Sequence, residues 1–138
     1  MTLTAKRFTH VIVVLLILFI ALAVPQKANA TTVLSGACGD NLTYTLDSDG
    51  LLTISGTGDM TYWGDSPEVP WYSNRSSIKT VKINSGVTNI GNCAFWDCTS
   101  LSSITIPDSV TSIGDEAFLS CDSLTFGRSR PRIARSDI

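Results

Sequence analysis

Four cysteines, one histidine and twelve carboxylates set the limits of the chemistry open to this 138-residue chain. Cys98 and Cys121 stand 23 residues apart, while Cys38 and Cys93 fit no spacing with them. No C-x-x-C pair is present, so a four-cysteine zinc site lacks its usual ligand spacing. The single histidine, His10, falls in an apolar leader. Once that leader is removed, no imidazole is left for a Ser-His-Asp or Cys-His nucleophile or for a His-ligated metal. Asp47, Asp49 and Gly50 echo half of a calcium loop, but the glutamate at the twelfth place is missing. A tight turn explains them better. The two glutamates, Glu68 and Glu116, leave a glycosidase-type carboxylate pair open as an alternative. Trp63, Trp71 and Trp96 have the right chemistry to stack on sugars, although packing inside the fold is the preferred reading. No catalytic residue, metal ligand or cofactor site is therefore assigned, and the chain reads as non-enzymatic.

The leader itself has three parts. Lys6 and Arg7 precede fourteen unbroken apolar residues over 11–24, and Ala28-Asn29-Ala30 supplies small residues at a cleavage site. This is the form of a secretory signal peptide over 1–30. Fourteen helical residues would reach about 21 Å, short of the roughly 30 Å hydrocarbon core a membrane anchor must cross. Cleavage would also remove Lys6, Arg7 and Lys27, leaving seven bases against twelve acids and a net charge of −5. That balance argues against a nucleic-acid partner. Export also places the thiols where oxidation is permitted.

The remaining residues need elements to position them. Leu42-Thr43-Tyr44-Thr45-Leu46 alternates apolar and polar, Asp47-Ser48-Asp49-Gly50 is turn chemistry, and Leu51-Leu52-Thr53-Ile54-Ser55 returns. Together they predict a β-hairpin. Residues 62–72, with two prolines and two tryptophans, predict an irregular loop whose aromatics cover one end of the core. From Ile78 the chain repeats at a fixed offset of 23: Ile78, Val81 and Ile83 match Leu101, Ile104 and Ile106, and Val87, Ile90 and Gly91 match Val110, Ile113 and Gly114. Ala94, Phe95 and Cys98 match Ala117, Phe118 and Cys121. A period in the twenties marks a solenoid, whose units bury their apolar faces only against each other. Each unit is expected to hold one short strand, a glycine chosen for its backbone angle (Gly114), and one helical turn at Ala117-Phe118.

Two consequences follow for sites. Coils joined through a parallel sheet lie roughly 4.8 Å apart, so Cys98 and Cys121 are within the separation a disulfide tolerates. The favoured reading is an unbridged core ladder, because buried cysteine also serves as a small apolar residue; a disulfide is the alternative. Between the inward residues of the two strands stand Thr80, Lys82, Ser103 and Thr105, which form the candidate binding face.

The string SLSSITIPDSVTSIGDEAFLSC over 100–121 resembles the BspA-type (Treponema-pallidum-type) leucine-rich repeat, whose motif is LxxIxIPxSVxxIGxxAFxxC. The stretch from Gly36 through Gly56-Thr57-Gly58 to Pro70-Trp71-Tyr72 is similar to the β cap that precedes such repeats. The first repeat departs from the motif at Asn84, where proline is expected, and at Cys93, where the second repeat has Glu116. The resemblance implies a secreted or surface-attached protein with a role in adhesion to host matrix proteins or other cells.

After Leu124 the pattern stops. Residues 31–127 carry a net charge of −8, and the four arginines beyond give the end a net +3. This break reads as a repeat protein cut short or as a natural disordered tail. The expected division is a signal peptide (1–30), a β cap with its aromatic loop (31–77), leucine-rich repeats (78–124) and a basic disordered tail (125–138). The expected fold is mainly β with short helical turns: an N-terminal hairpin cap and a short solenoid. The expected function is a secreted or cell-surface binding or adhesion module for a host matrix protein, another cell surface or a glycan. No nucleic-acid partner and no membrane span after cleavage are expected, and the oligomeric state is left open. The alternative is a targeting module, or a truncated fragment, of a larger exported enzyme or repeat protein.

Overall fold

The computed structural model describes residues 29–64 and 66–125. The signal-peptide reading, apart from its last two residues, and the tail reading, apart from its first, lie outside them. Eight strands follow in order: β1 (Thr32–Gly39), β2 (Leu42–Asp47), β3 (Leu51–Gly56), β4 (Gly58–Asp59), β5 (Thr80–Ile83), β6 (Val87–Ile90), β7 (Ser103–Thr105) and β8 (Ser112–Ile113). Two short 3-10 helices, Ser66–Glu68 and Tyr72–Ser77, are the only helices among the described residues. The described residues form a small β-rich fold, and neither of its two sheets closes into a barrel. No helix among the described residues is long and apolar enough to cross a membrane.

The strands form two sheets. The larger has the order β1-β2-β3-β5-β7, antiparallel from β1 to β3 and parallel from β3 to β7. The smaller has the order β4-β6-β8 and is parallel throughout. Alternation sets the register of the first. Tyr44 and Leu46 on β2, Leu52 and Ile54 on β3, and Val81 and Ile83 on β5 all point inward and are buried. A one-residue slip would turn each of them to solvent. At the β2–β3 turn, one carboxylate oxygen of Asp47 accepts the N–H of Asp49 and of Leu51, both at 2.9 Å. Gly50 closes that turn at φ +86°, a conformation an L-residue adopts only at a cost.

The 23-residue offset is realised as stacking. Val81 pairs with Ile104, and Ile90 with Ile113. The rings of Phe95 and Phe118 stack with centroids 5.3 Å apart and an interplanar angle of 18°. Polar positions act as staples between coils at the same offset: Asn89 Nδ2 donates to Ser112 Oγ (2.7 Å), and Asp115 N–H to Asn92 Oδ1 (3.2 Å). The N–H groups of Cys93, Phe95 and Asp97 donate to the carbonyls of Asp115, Ala117 and Leu119 in the next coil.

Three expectations need correction. First, Ala94-Phe95 and Ala117-Phe118 lie in hydrogen-bonded turns, not helical ones. Cys93, Asp97, Glu116 and Ser120 have φ of 52–61°, and left-handed residues so placed break any helical run. Second, Gly114 is not in the left-handed region. It is there for space: a Cβ would lie 2.6 Å from the backbone nitrogen of Asn92, and one on Gly91 would lie 2.9 Å from the ring of Trp63. Third, each coil holds two strands, not one, because Val87–Ile90 and Ser112–Ile113 form the second sheet.

The aromatic loop also has a more definite place than a lid over the core. β3 and β4 pair with β5 and β6, and Trp71 stacks on Phe95 at 5.9 Å, so this stretch occupies the position of a preceding coil. The indole N–H of Trp71 donates to the carbonyl of Ala94 at 2.7 Å, standing in for the backbone N–H that Phe95 offers Ala117 one coil later. Tyr44 and Trp63 meet Trp71 edge-on at 5.1 and 5.5 Å. Trp71 and Trp63 are buried, and this packing withdraws them from any role in stacking on sugars.

Candidate functional site

The candidate face is the outer surface of the larger sheet. Alternation that turns Val81 and Ile83 inward turns Thr80 and Lys82 outward, and register places Thr80 beside Ser103 and Lys82 beside Thr105. Lys82, Ser103 and Thr105 are exposed and Thr80 is half-buried. Thr80 and Ser103 share a long hydroxyl contact of 3.5 Å. Lys82 and Thr105 have no side-chain partner among the described residues.

The smaller sheet behaves differently. Its outward polar groups are tied to one another and to neighbouring backbone. Thr88 donates to Asp59 at 2.6 Å, Asn89 to Ser112 at 2.7 Å, and Thr111 to the Thr88 carbonyl at 3.2 Å. A concavity of about 440 Å³ beside it is lined by Asp40, Asn41, Asp59 and Tyr62, among others. One carboxylate oxygen of Asp59 is already committed there to Thr88.

Three of the thiols are chemically quiet. Burial pushes Cys98 up to about 12, and Cys38 and Cys121 up to about 11. A protonated thiol is a poor nucleophile and a poor metal ligand. Cys38, Cys98 and Cys121 are free thiols. Cys98 is fully buried, and Cys121, half-buried, donates its S–H to the Phe95 carbonyl at 3.0 Å. No group of three or more metal-binding side chains occurs among the described residues. Glu68 accepts the Gly64 N–H at 3.0 Å, and Glu116 stands on an exposed left-handed turn.

Sequence reasoning missed one paired group. Arg75 forms an ion pair with Asp97 at 3.0 Å and lies over the Tyr72 ring, 4.0 Å from its centroid. Tyr72 in turn stacks on Trp96 at 6.1 Å. The offset of 22 between Arg75 and Asp97 was the available signal, but it falls one short of the repeat period.

Residues 70–128 match the family described as BspA type leucine rich repeat region (6 copies). The repeat region belongs to the BspA-type leucine-rich repeats. The match begins at Pro70, next to the tryptophan that fills the place of the preceding coil. The structure is similar to a leucine-rich repeat protein from Eubacterium ventriosum, with 36% identity and a TM-score of 0.65 over 72% of this chain and 27% of that one. Weaker similarity links it to a leucine rich cell surface protein from Faecalibacterium prausnitzii (24% identity, TM-score 0.38, 69% of this chain and 30% of that one). It also links it to the leucine-rich repeat protein of T. pallidum (25%, TM-score 0.39, 70% and 52%). The chain spans about a quarter of the length of the Eubacterium protein. No curated protein matches it. A repeat region of this type suggests a protein-binding module.

Proposed function

We propose that this chain is a secreted or cell-surface adhesion module that works by binding and performs no catalysis. In this reading β1–β3 cap one end of a short solenoid, and Thr80, Lys82, Ser103 and Thr105 are its contact surface. The partner would be a host matrix protein, another cell's surface or a glycan. One observation carries the reading: among the described residues Lys82 and Thr105 have no side-chain partner and Thr80 and Ser103 share only a long contact, while the outward groups of the smaller sheet are tied to one another and to backbone. Polar groups with no partner inside a rigid sheet can bond a partner by displacing water alone. The family and the leader-like first thirty residues support the surface location. Two coils offer a small area, so single-site affinity should be weak and display in many copies should raise it.

The test is to immobilise the full chain at high density and measure binding to matrix proteins and to cells. Lys82→Gln combined with Thr105→Val should reduce binding while the melting temperature holds. Binding that survives the double substitution, or no binding by the folded chain, would refute the assignment.

A further inference from the structure

The open surface does not stop at the repeats. Register pairs Ser35 with Thr45, Thr45 with Thr53, Thr53 with Lys82, and Lys82 with Thr105. One outward side chain from each of five strands therefore stands in a single row. Four are hydroxyls and the middle of the parallel part is an ammonium. Thr53 is half-buried and the other four are exposed. None of the five has a side-chain hydrogen bond among the described residues. With adjacent strands about 4.8 Å apart, the row runs for roughly 19 Å.

Its chemistry is specific. A hydroxyl both donates and accepts, whereas an ammonium only donates and prefers a charged acceptor. The spacing between rungs is close to the length of one pyranose ring in an extended glycan, so a chain lying across the strands would set about one sugar over each. Residues 31–127 are net −8, which repels a polyanion from most of the surface. Lys82 is the only charged side chain in the row and so fixes where a carboxylate can rest.

We propose that this five-strand row binds an extended, largely neutral glycan that carries a single uronate, with the uronate carboxylate on Lys82 and sugar hydroxyls on Thr45, Thr53 and Thr105. This rests on the binding role argued above and deepens it. It makes the antiparallel strands part of the contact surface as well as a cap, and it names the ligand class.

The experiment is calorimetric titration of the full chain with a β-1,4-linked glucose pentamer in which one residue is glucuronic acid (the acidic pentamer), beside the neutral glucose pentamer of the same linkage. The acidic pentamer should bind about tenfold tighter, the worth of one charge-assisted hydrogen bond. Lys82→Gln should erase that difference, and Lys79→Gln, which removes an equal charge outside the row, should not. Thr45→Val with Thr53→Val should weaken binding by about tenfold at unchanged melting temperature. No binding of the acidic pentamer overturns the inference. So does loss of binding on Lys82→Gln with no response to the Thr45 and Thr53 changes, which confines the contact to the repeats. Binding of matrix protein through Lys82 and Thr105 in either case leaves the broader adhesion reading standing, so the two failures are distinguishable.

Discussion

The two coils share their letters but not their environments. Val81 and Ile83 are buried in the first, whereas Ile104 and Ile106, at the same places in the second, are half-buried. Val87 and Ile90 are fully covered at 0% exposure, while Val110 and Ile113 keep 7% and 8%. The first coil has β3, β4 and Trp71 on one side and the second coil on the other. Among the described residues the second coil is covered on one side only. Burial is therefore a property of neighbours rather than of the repeat, and stability should divide into coil terms and interface terms.

That comparison can be broken by substitutions at equivalent positions. The largest effect is expected at Phe95, which is sandwiched between Trp71 and Phe118. Phe95→Ala should cost about 3–5 kcal/mol in urea unfolding, and Phe118→Ala clearly less, because its site can collapse from the open side. Equal costs would mean that both coils are enclosed alike. The next pair exchanges the first repeat's departure from the motif. Asn84 donates its N–H to the Ile54 carbonyl and its side-chain amide to Ser55, both at 3.0 Å. Asn84→Pro should cost about 1–3 kcal/mol through the lost bonds and the acceptors left behind. Pro107→Asn should cost under about 1 kcal/mol, the conformational entropy a proline removes from the unfolded chain.

A pH series sharpens the same contrast. The buried thiols of Cys38, Cys98 and Cys121 hold their protons more tightly when folded than at the ordinary value of 9.0. Their contribution is intact below that value and is lost as pH rises towards about 11–12. The melting temperature should fall above about pH 9. Cys98→Ala, which removes the most raised of the three, should flatten that fall more than Cys121→Ala. The smallest effect is expected on the candidate face, where Lys82→Gln should change stability by no more than about 0.5 kcal/mol.

The stacking was legible because a fixed offset of 23 is visible in apolar letters alone, and the hairpin because Asp47 to Gly50 spells its own turn. The second strand of each coil was not. Val87-Thr88-Asn89-Ile90 places its buried residues at i and i+3, a helical spacing and not the alternation of a strand. β1 was legible only as part of a stretch from Thr31 to Thr61 that reads as β structure, without bounds of its own, since Thr32–Gly39 lacks alternation and pairs with two register shifts. The left-handed turns fall on Cys93, Asp97, Glu116 and Ser120, of which only Asp97 is a type that favours such angles. Gly91 and Gly114 announce the wrong reason, because crowding from another part of the chain cannot be read locally. On the candidate face, alternation exposed the four repeat residues. Their continuation into Thr53, Thr45 and Ser35 depends on an offset of 29 between β3 and β5 that no motif records.

The central claim is that successive coils lie directly on one another and create the core between them. Proton NMR of the folded chain tests this without perturbing it. The account predicts nuclear Overhauser contacts between the ring protons of Phe95 and Phe118 and between the methyl groups of Val81 and Ile104. Their absence from a well-dispersed spectrum in which all four residues are assigned would contradict it.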